Sequence, residues 1–230
     1  LVTLALVDGN MRSQIAGSLT ERAPNFFFVD IQNTEVEDFA SLVQDLAPEG
    51  KLVRVPMLRG RMMEINGVDV REIEVPPDEA WILRGDRGIT YAATPGENTT
   101  ITAGEFWLED YDGPPQISFA QEEADEIGLK LGDEITVNIL GRDITATITS
   151  FREVDFSTAG IGFVMTMNPG ALQGAPHTFI STVYAEPEAE AQILRDLAQE
   201  FPNITAIRVA DAIDRVSELL EGIAGAVRWG

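Results

Sequence analysis

The chain has 230 residues, 44% of them hydrophobic, with a formal net charge of −22 and no cysteine. That apolar content supports a packed core in one or two domains and excludes a disordered chain. The missing thiols exclude disulfides, thiolate catalysis and Cys-zinc sites, and the acidic balance, with Lys51 and Lys130 as the sole lysines, repels phosphate backbones and speaks against nucleic acid as a partner.

The chain opens on an apolar run, "LVTLALV", which residues 8–22 continue as a helix with Ile15 and Leu19 four apart. No window approaches the roughly 20 apolar residues of a membrane span. "APN" (23–25) ends that helix. "FFFVDI" (26–31) is a dense β-type run bounded by turn signals and predicts a buried strand. "NTEVEDFASLVQDLAPEG" predicts a helix capped by Asn33 or Thr34, with Val36, Phe39, Ala40, Val43 and Leu46 near one face. "KLVRVPMLRGRMMEING" follows as extended chain, where Pro56 marks an edge or a bulge.

Residues 66–176 read as a mainly β insert. Its predicted strands are "GITYAA", "TTITAG", "EITVNIL" and "DITATITSF", the last two joined by a hairpin turn at Leu140-Gly141-Arg142-Asp143. "SFAQEEADEIGLKLGD" is its one clear helix, with Ser118 as N-cap, Gln121 at the capping-box position and Gly128 as C-cap. The order strand, helix, strand then returns. "TFISTVYAE" (178–186) is a strand, "PEAEAQILRDLAQEFPN" a helix opened by Pro187 with Ile193, Leu194, Leu197, Ala198 and Phe201 on one face, and "ITAIRV" (204–209) a strand. The chain closes on a helix with Ile213, Val216, Leu219, Leu220, Ile223 and Val227 at helical spacing. Both termini grow more apolar away from the body and read either as membrane-proximal stalks or as ordinary core helices.

These elements predict an α+β fold. Two strand–helix–strand units, 1–65 and 177–230, assemble as one discontinuous split βαβ, ferredoxin-like subdomain with stalk helices. Residues 66–176 form an inserted β-rich subdomain.

Little in the residue chemistry points to catalysis. His177 is the lone histidine, so a Ser-His-Asp triad would have to use it, yet no G-x-S-x-G elbow accompanies it. Asp110, Asp112 and Gly113 echo a fragment of a calcium loop that lacks its closing Glu, and "EEADE" (122–126) reads as a solvated face. Neither a P-loop nor a strand–G-x-G-x-x-G–helix unit is present. The expectation is no catalytic residue, no metal ligand and no cofactor-binding residue.

One stretch carries a resemblance: "VNILGRDITATITSFREVDFSTAGIGFVMTMNPGALQGAPHTFISTV". It resembles the extracytoplasmic domain of an ABC-transporter permease family associated with a periplasmic lysophospholipase/thioesterase, a relative of lipoprotein-release, FtsX-like and MacB-like permeases. The pattern is Ser150-Phe151-Arg152-Glu153-Val154-Asp155-Phe156, then Phe163, then Pro169-Gly170-Ala171-Leu172. "ERAPNFFFVDI", "VPMLRGRMMEING", "ITYAATPGENTTITAGEFW", "QISFAQEEADEIGLKLGDEITV" and "ADAIDRVSELLEGIAGAV" match further pieces in order. Phe156 stands where the family favours Trp, and Gly162 where it favours Asn.

The resemblance implies a bacterial inner-membrane protein with this domain in the periplasm and no enzymatic activity of its own. It further implies coupling of cytoplasmic ATP hydrolysis to export or extraction of a hydrophobic, lipid-like substrate, with motion passed along the stalks. The partners it implies are the protein's own transmembrane helices and a cytoplasmic ABC ATPase subunit. A second permease copy or half and a periplasmic lysophospholipase/thioesterase complete the set. The residues leave two other classes open: a periplasmic ligand-binding module, and a hydrolase domain using paired carboxylates.

Overall fold

The computed structural model describes residues 23–96, 99–153 and 162–212. The expected helix over 8–22, the closing helix from Ile213 to Val227 and the Val154-Asp155-Phe156 part of the motif lie outside them. In chain order the elements are β1 (Phe26–Gln32), α1 (Val36–Leu46), β2 (Lys51–Ile65), β3 (Val68–Asp69), α2 (Ala80–Leu83), β4 (Asp86–Tyr91) and β5 (Thr100–Gly104). Then come β6 (Gln116–Ala120), α3 (Gln121–Ile127), β7 (Glu134–Ile139), β8 (Arg142–Glu153), β9 (Met165–Met167), α4 (Pro169–Leu172), β10 (Thr178–Tyr184), α5 (Glu190–Glu200) and β11 (Thr205–Arg208). They divide into two compact units, residues up to Arg54 with those from Phe179, and Val55–Asp155 with Gly162–Thr178. The division falls inside β2, earlier than residue 65, because this 15-residue strand runs from one unit into the other.

In the first unit the strand order is β11-β1-β10-β2. β1 and β11 are antiparallel, with Phe26 opposite Arg208 and Phe28 opposite Ala206. Phe26 and Phe28 are fully buried, and the alternation then breaks. Asp30 adopts φ 62, a left-handed conformation that Asp tolerates, so Ile31 rather than Asp30 turns into the core. Val36, Phe39 and Val43 of α1 and Ile193 and Leu197 of α5 close that core. Phe28 meets Phe39 edge-on at 5.2 Å between ring centres, and Phe39 meets Phe201 at 6.3 Å.

Two details differ from expectation here. Neither Asn33 nor Thr34 caps α1. Glu35 is the cap residue, and its carboxylate accepts from the Gln32 and Asn203 nitrogens. Ala198, expected on the apolar face of α5, is exposed. Asn25 ties the unit's strands to α5: its Oδ1 accepts from Ala185 N at 2.8 Å and its Nδ2 donates to Glu190 at 2.7 Å.

The second unit contains a closed ring of strands. β2 from Leu58 onward pairs with β4, β4 with β9, β9 with β6, β6 with β8 and β8 with β7, and β7 returns to β2. Two of these pairings, β4–β9 and β6–β8, are parallel. β5 adds to β8 outside the ring, and β3 folds back on β2. Leu58, Met62, Ile89, Ile117, Phe119, Ile135, Val137, Ile148, Met165 and Met167 fill a barrel too small for a lumen. Gly104 ends β5 at φ 69, where a Cβ would run into the Thr149 carbonyl oxygen, so no side chain fits there.

The expected β character of this unit is observed, but its local punctuation differs. Gln116–Ala120 is strand β6, not the start of a helix. Ser118 is therefore no cap: its hydroxyl is buried and accepts from the Ser150 hydroxyl at 2.8 Å. Ala120 is the cap residue of α3, and Gly128 ends that helix at φ 75 as expected. Leu140-Gly141 forms the two-residue turn between β7 and β8, at φ 51 and φ 83.

Candidate functional site

Within the first unit, a groove of about 420 Å³ opens between the C-terminal half of α1 and the start of β2. That volume lies in the usual range of small-ligand sites, roughly 300–1,000 Å³. Ala40, Val43 and Ala47 of α1, Leu52 of β2 and Val183 of β10 supply apolar wall. Gln44, Lys51, Arg54 and Tyr184 bring polar groups able to donate hydrogen bonds. Local sequence builds this shape. The small side chains Ala40 and Ala47 leave room on the helix, and Gly50 lets the chain turn beneath it. A Cβ at Gly50 would lie 2.5 Å from the Tyr184 carbonyl oxygen.

Arg54 is held from α1. Its Nη2 lies 2.9 Å from the Glu37 carboxylate, and its Nη1 donates to the Val36 carbonyl at 3.4 Å. Glu37 is 79% exposed, so this ion pair contributes little to stability. None of the lining residues is acidic, in a chain with 38 Asp and Glu. At this helix end the Val43 and Ala47 carbonyls accept from the Ala47 and Gly50 amides.

The residues weighed in the sequence lie elsewhere. His177 is half-buried. Its Nδ1 sits 2.7 Å from the Ala175 carbonyl and so carries the hydrogen, leaving Nε2 to accept the Tyr91 hydroxyl at 3.1 Å. Burial pushes the Tyr91 phenol above its ordinary value. Asp110 and Asp112 are exposed, in a loop whose Tyr111 hydroxyl donates to the Pro114 carbonyl. Among the described residues, no group of three or more His, Asp or Glu side chains is placed to hold a metal ion.

The "EEADE" segment is not wholly solvated. Glu123 is only 6% exposed, because α3 leaves β6 directly and turns this position inward toward Arg152. Arg152 is itself buried and acts as a clamp. Nη1 donates to the Ser118 carbonyl at 2.5 Å and to the Val164 carbonyl at 3.4 Å, and Nη2 donates to the Phe163 carbonyl. Burial lowers the guanidinium from its ordinary 12.5 to about 10, with Glu123 acting in the opposite sense. The motif arginine thus joins β8 to the segment before β9 across β6. The groove residues drew no attention in the sequence.

Comparison with known proteins follows this geometry. No family model matches the chain. An uncharacterized ABC transporter permease of Escherichia coli, YbbP, is 24% identical over 218 residues, 94% of this chain. The chain is similar to an ABC transporter permease. It spans only about a quarter of that relative's length. Among solved structures, a crystal structure of a domain assigned to a permease protein from Porphyromonas gingivalis matches with a TM-score of 0.44 and 12% identity. The match covers 82% of this chain and 89% of the other. Among the described residues no helix is long and apolar enough to cross a membrane.

Proposed function

We propose that this chain is the extracytoplasmic domain of a bacterial ABC-transporter permease of the MacB-like and FtsX-like class. The observation that carries the reading is the similarity to a permease along 94% of the chain, which corresponds to only a quarter of that relative. In this reading the segments flanking residues 23–212 lead to membrane-spanning helices of the parent protein. A cytoplasmic ATPase subunit drives those helices, and the domain answers with a rigid-body movement that helps extract or export a hydrophobic, lipid-like substrate. A second permease copy or half, and a periplasmic lysophospholipase/thioesterase, are the further partners this reading implies. The domain itself works by binding and movement and not by catalysis.

The organisation fits that role. In this reading the unit up to Arg54 and from Phe179 is the membrane-proximal subdomain, and the unit between them is the insert. The strand order β11-β1-β10-β2, with β1 and β11 antiparallel and a helix after β1 and after β10, supports a split βαβ, ferredoxin-like layer for the first. The groove favours a ligand-binding module as the second reading, and the two are compatible in one transporter.

The test is ATPase stimulation and transport in the reconstituted parent permease with its ATPase. A Gly-Gly insertion after Asp211 should abolish coupling while leaving basal ATP hydrolysis unchanged. Retention of full coupling, or a parent protein with no spanning segments on either side of this domain, would refute the transporter reading.

A further inference from the structure

We propose that the two units turn against each other about a two-strand hinge, with Val55 of β2 and Thr178 of β10 as its pivots. The inference stands on these strands alone and does not need the transporter reading.

Among the described residues the chain passes between the units at two places, after Arg54 and after Thr178. Both places lie in strands, and the two strands, β2 and β10, are neighbours in the sheet order. The cores stop short of the crossing. From Leu58 to Met62, β2 alternates buried and exposed positions, as a strand does over a core. From Leu52 to Met57 every position is half-buried and the alternation is gone. Val53, Val55 and Met57 are apolar, yet none of them belongs to either hydrophobic core. A ribbon of two strands without a core is marginally stable by itself, and a stretch with few buried apolar contacts is where a fold gives way first.

Side-chain bonds mark how far each unit reaches. On the first unit's side the Ser181 hydroxyl donates to the Val53 carbonyl at 3.0 Å, and Arg54 is held by Glu37 and the Val36 carbonyl. On the second unit's side the Thr90 hydroxyl donates to the Pro56 carbonyl at 2.6 Å. Val55 is the residue of β2 between these anchors. The second strand repeats the arrangement. His177 accepts the Tyr91 hydroxyl of the second unit at 3.1 Å, while Phe179 packs against the first core, and Thr178 stands between them. Pro56 adds to the effect in two ways. It has no N–H, so it donates no ladder bond beside the pivot. Its ring also holds Val55 in the extended region, so the motion is a bend of the ribbon and not a loss of strand. Two compact units joined through so thin a link move relative to one another.

The experiment measures residual dipolar couplings of the backbone amides of the 230-residue chain in a neutral alignment medium. The couplings should fit well within each unit and poorly to one common tensor, with the two tensors differing in magnitude. Val55→Gly and Thr178→Gly, which free the backbone at the pivots, should each widen that difference. Val53→Gly, on the same strand but anchored to Ser181, should leave it unchanged. The proposal falls if a single tensor fits both units of the parent chain. It also falls if Val53→Gly acts as strongly as Val55→Gly and Thr178→Gly while amide dispersion shows the variants folded. Failure here leaves the coupling test above untouched, since that test uses none of these variants and reads ATP hydrolysis.

Discussion

Replacing Arg152 by Met is the sharpest perturbation the barrel offers. The side chain is 5% exposed, and its guanidinium is lowered from 12.5 to about 10 by burial. Burial disfavours the charge there. The protein offsets that cost with donors to the Ser118, Phe163 and Val164 carbonyls and with the buried Glu123 nearby. Methionine removes the cost and the hydrogen bonds together, along with the positive charge that acts on the buried Glu123 of α3. The Val164 carbonyl keeps the Ala120 amide at 2.9 Å, so the main losses are at Ser118, Phe163 and Glu123. Leaving buried carbonyls without their donor typically costs about 1–3 kcal/mol. We expect Arg152→Met to fall in that range in urea unfolding followed by Trp107, whose indole is buried in the same unit and donates to the Ala92 carbonyl. The double variant with Glu123→Leu should lose less than the sum of the two single variants, because the charge of Arg152 acts on Glu123. A single-variant loss below about 1 kcal/mol, or strictly additive effects in the double variant, would refute the clamp.

Leu140 occupies the first position of a two-residue hairpin turn at φ 51 and is 70% exposed, so Leu140→Asn should raise the urea midpoint, by about 1 kcal/mol of removed strain; a lower midpoint would show that the leucine packs against something. Asn25→Ala deletes two hydrogen bonds, one of them to the Glu190 carboxylate, and should cost about 2–3 kcal/mol in the first unit, read by thermal circular dichroism, while Asn25→Asp should be worse because it sets a second carboxylate against Glu190. The Asp69 carboxylate is held near 2, against an ordinary 3.8, chiefly by the Arg71 side-chain hydrogen bond and next by the Arg71 amide. Its contribution is therefore complete above pH 4 and lost as the pH falls through 2. A carbon NMR titration should find that midpoint and see it climb toward 3.8 in Arg71→Ala, and an unmoved midpoint would exclude the pairing.

What could be read from the sequence depended on period. β1 and β10 are short, bounded runs rich in aromatic and β-branched residues, and α1 and α5 repeat apolar positions at three and four, so each announces itself locally. β6 and β9 do not. Ile117, Ser118, Phe119 and Ala120 are all buried, as are Met165, Thr166 and Met167, so alternation vanishes in strands that have neighbours on every side. Ser118 followed by Gln121 then imitates a capping box. Ring closure is equally silent, because it requires β7 to pair with both β2 and β8, and only the second of these is a hairpin. Glu123 looks solvated beside its acidic neighbours until the fold sets it near Arg152, 29 positions away by residue number.

The same logic separates the fold from the candidate site. The motif that carries the permease resemblance contains Ser150, Arg152, Phe163 and Leu172, and in the structure these are the serine pair, the clamp, one of its carbonyl partners and a core residue of the barrel. The motif marks how the second unit is held together. The groove draws instead on Ala40, Gln44, Gly50, Lys51 and Arg54, none of which lies in any stretch that carries the resemblance. The residues that line the groove are therefore separate from those that clamp the barrel. The motif thus speaks to the architecture of the second unit, while the groove is built by α1, β2 and β10 of the first.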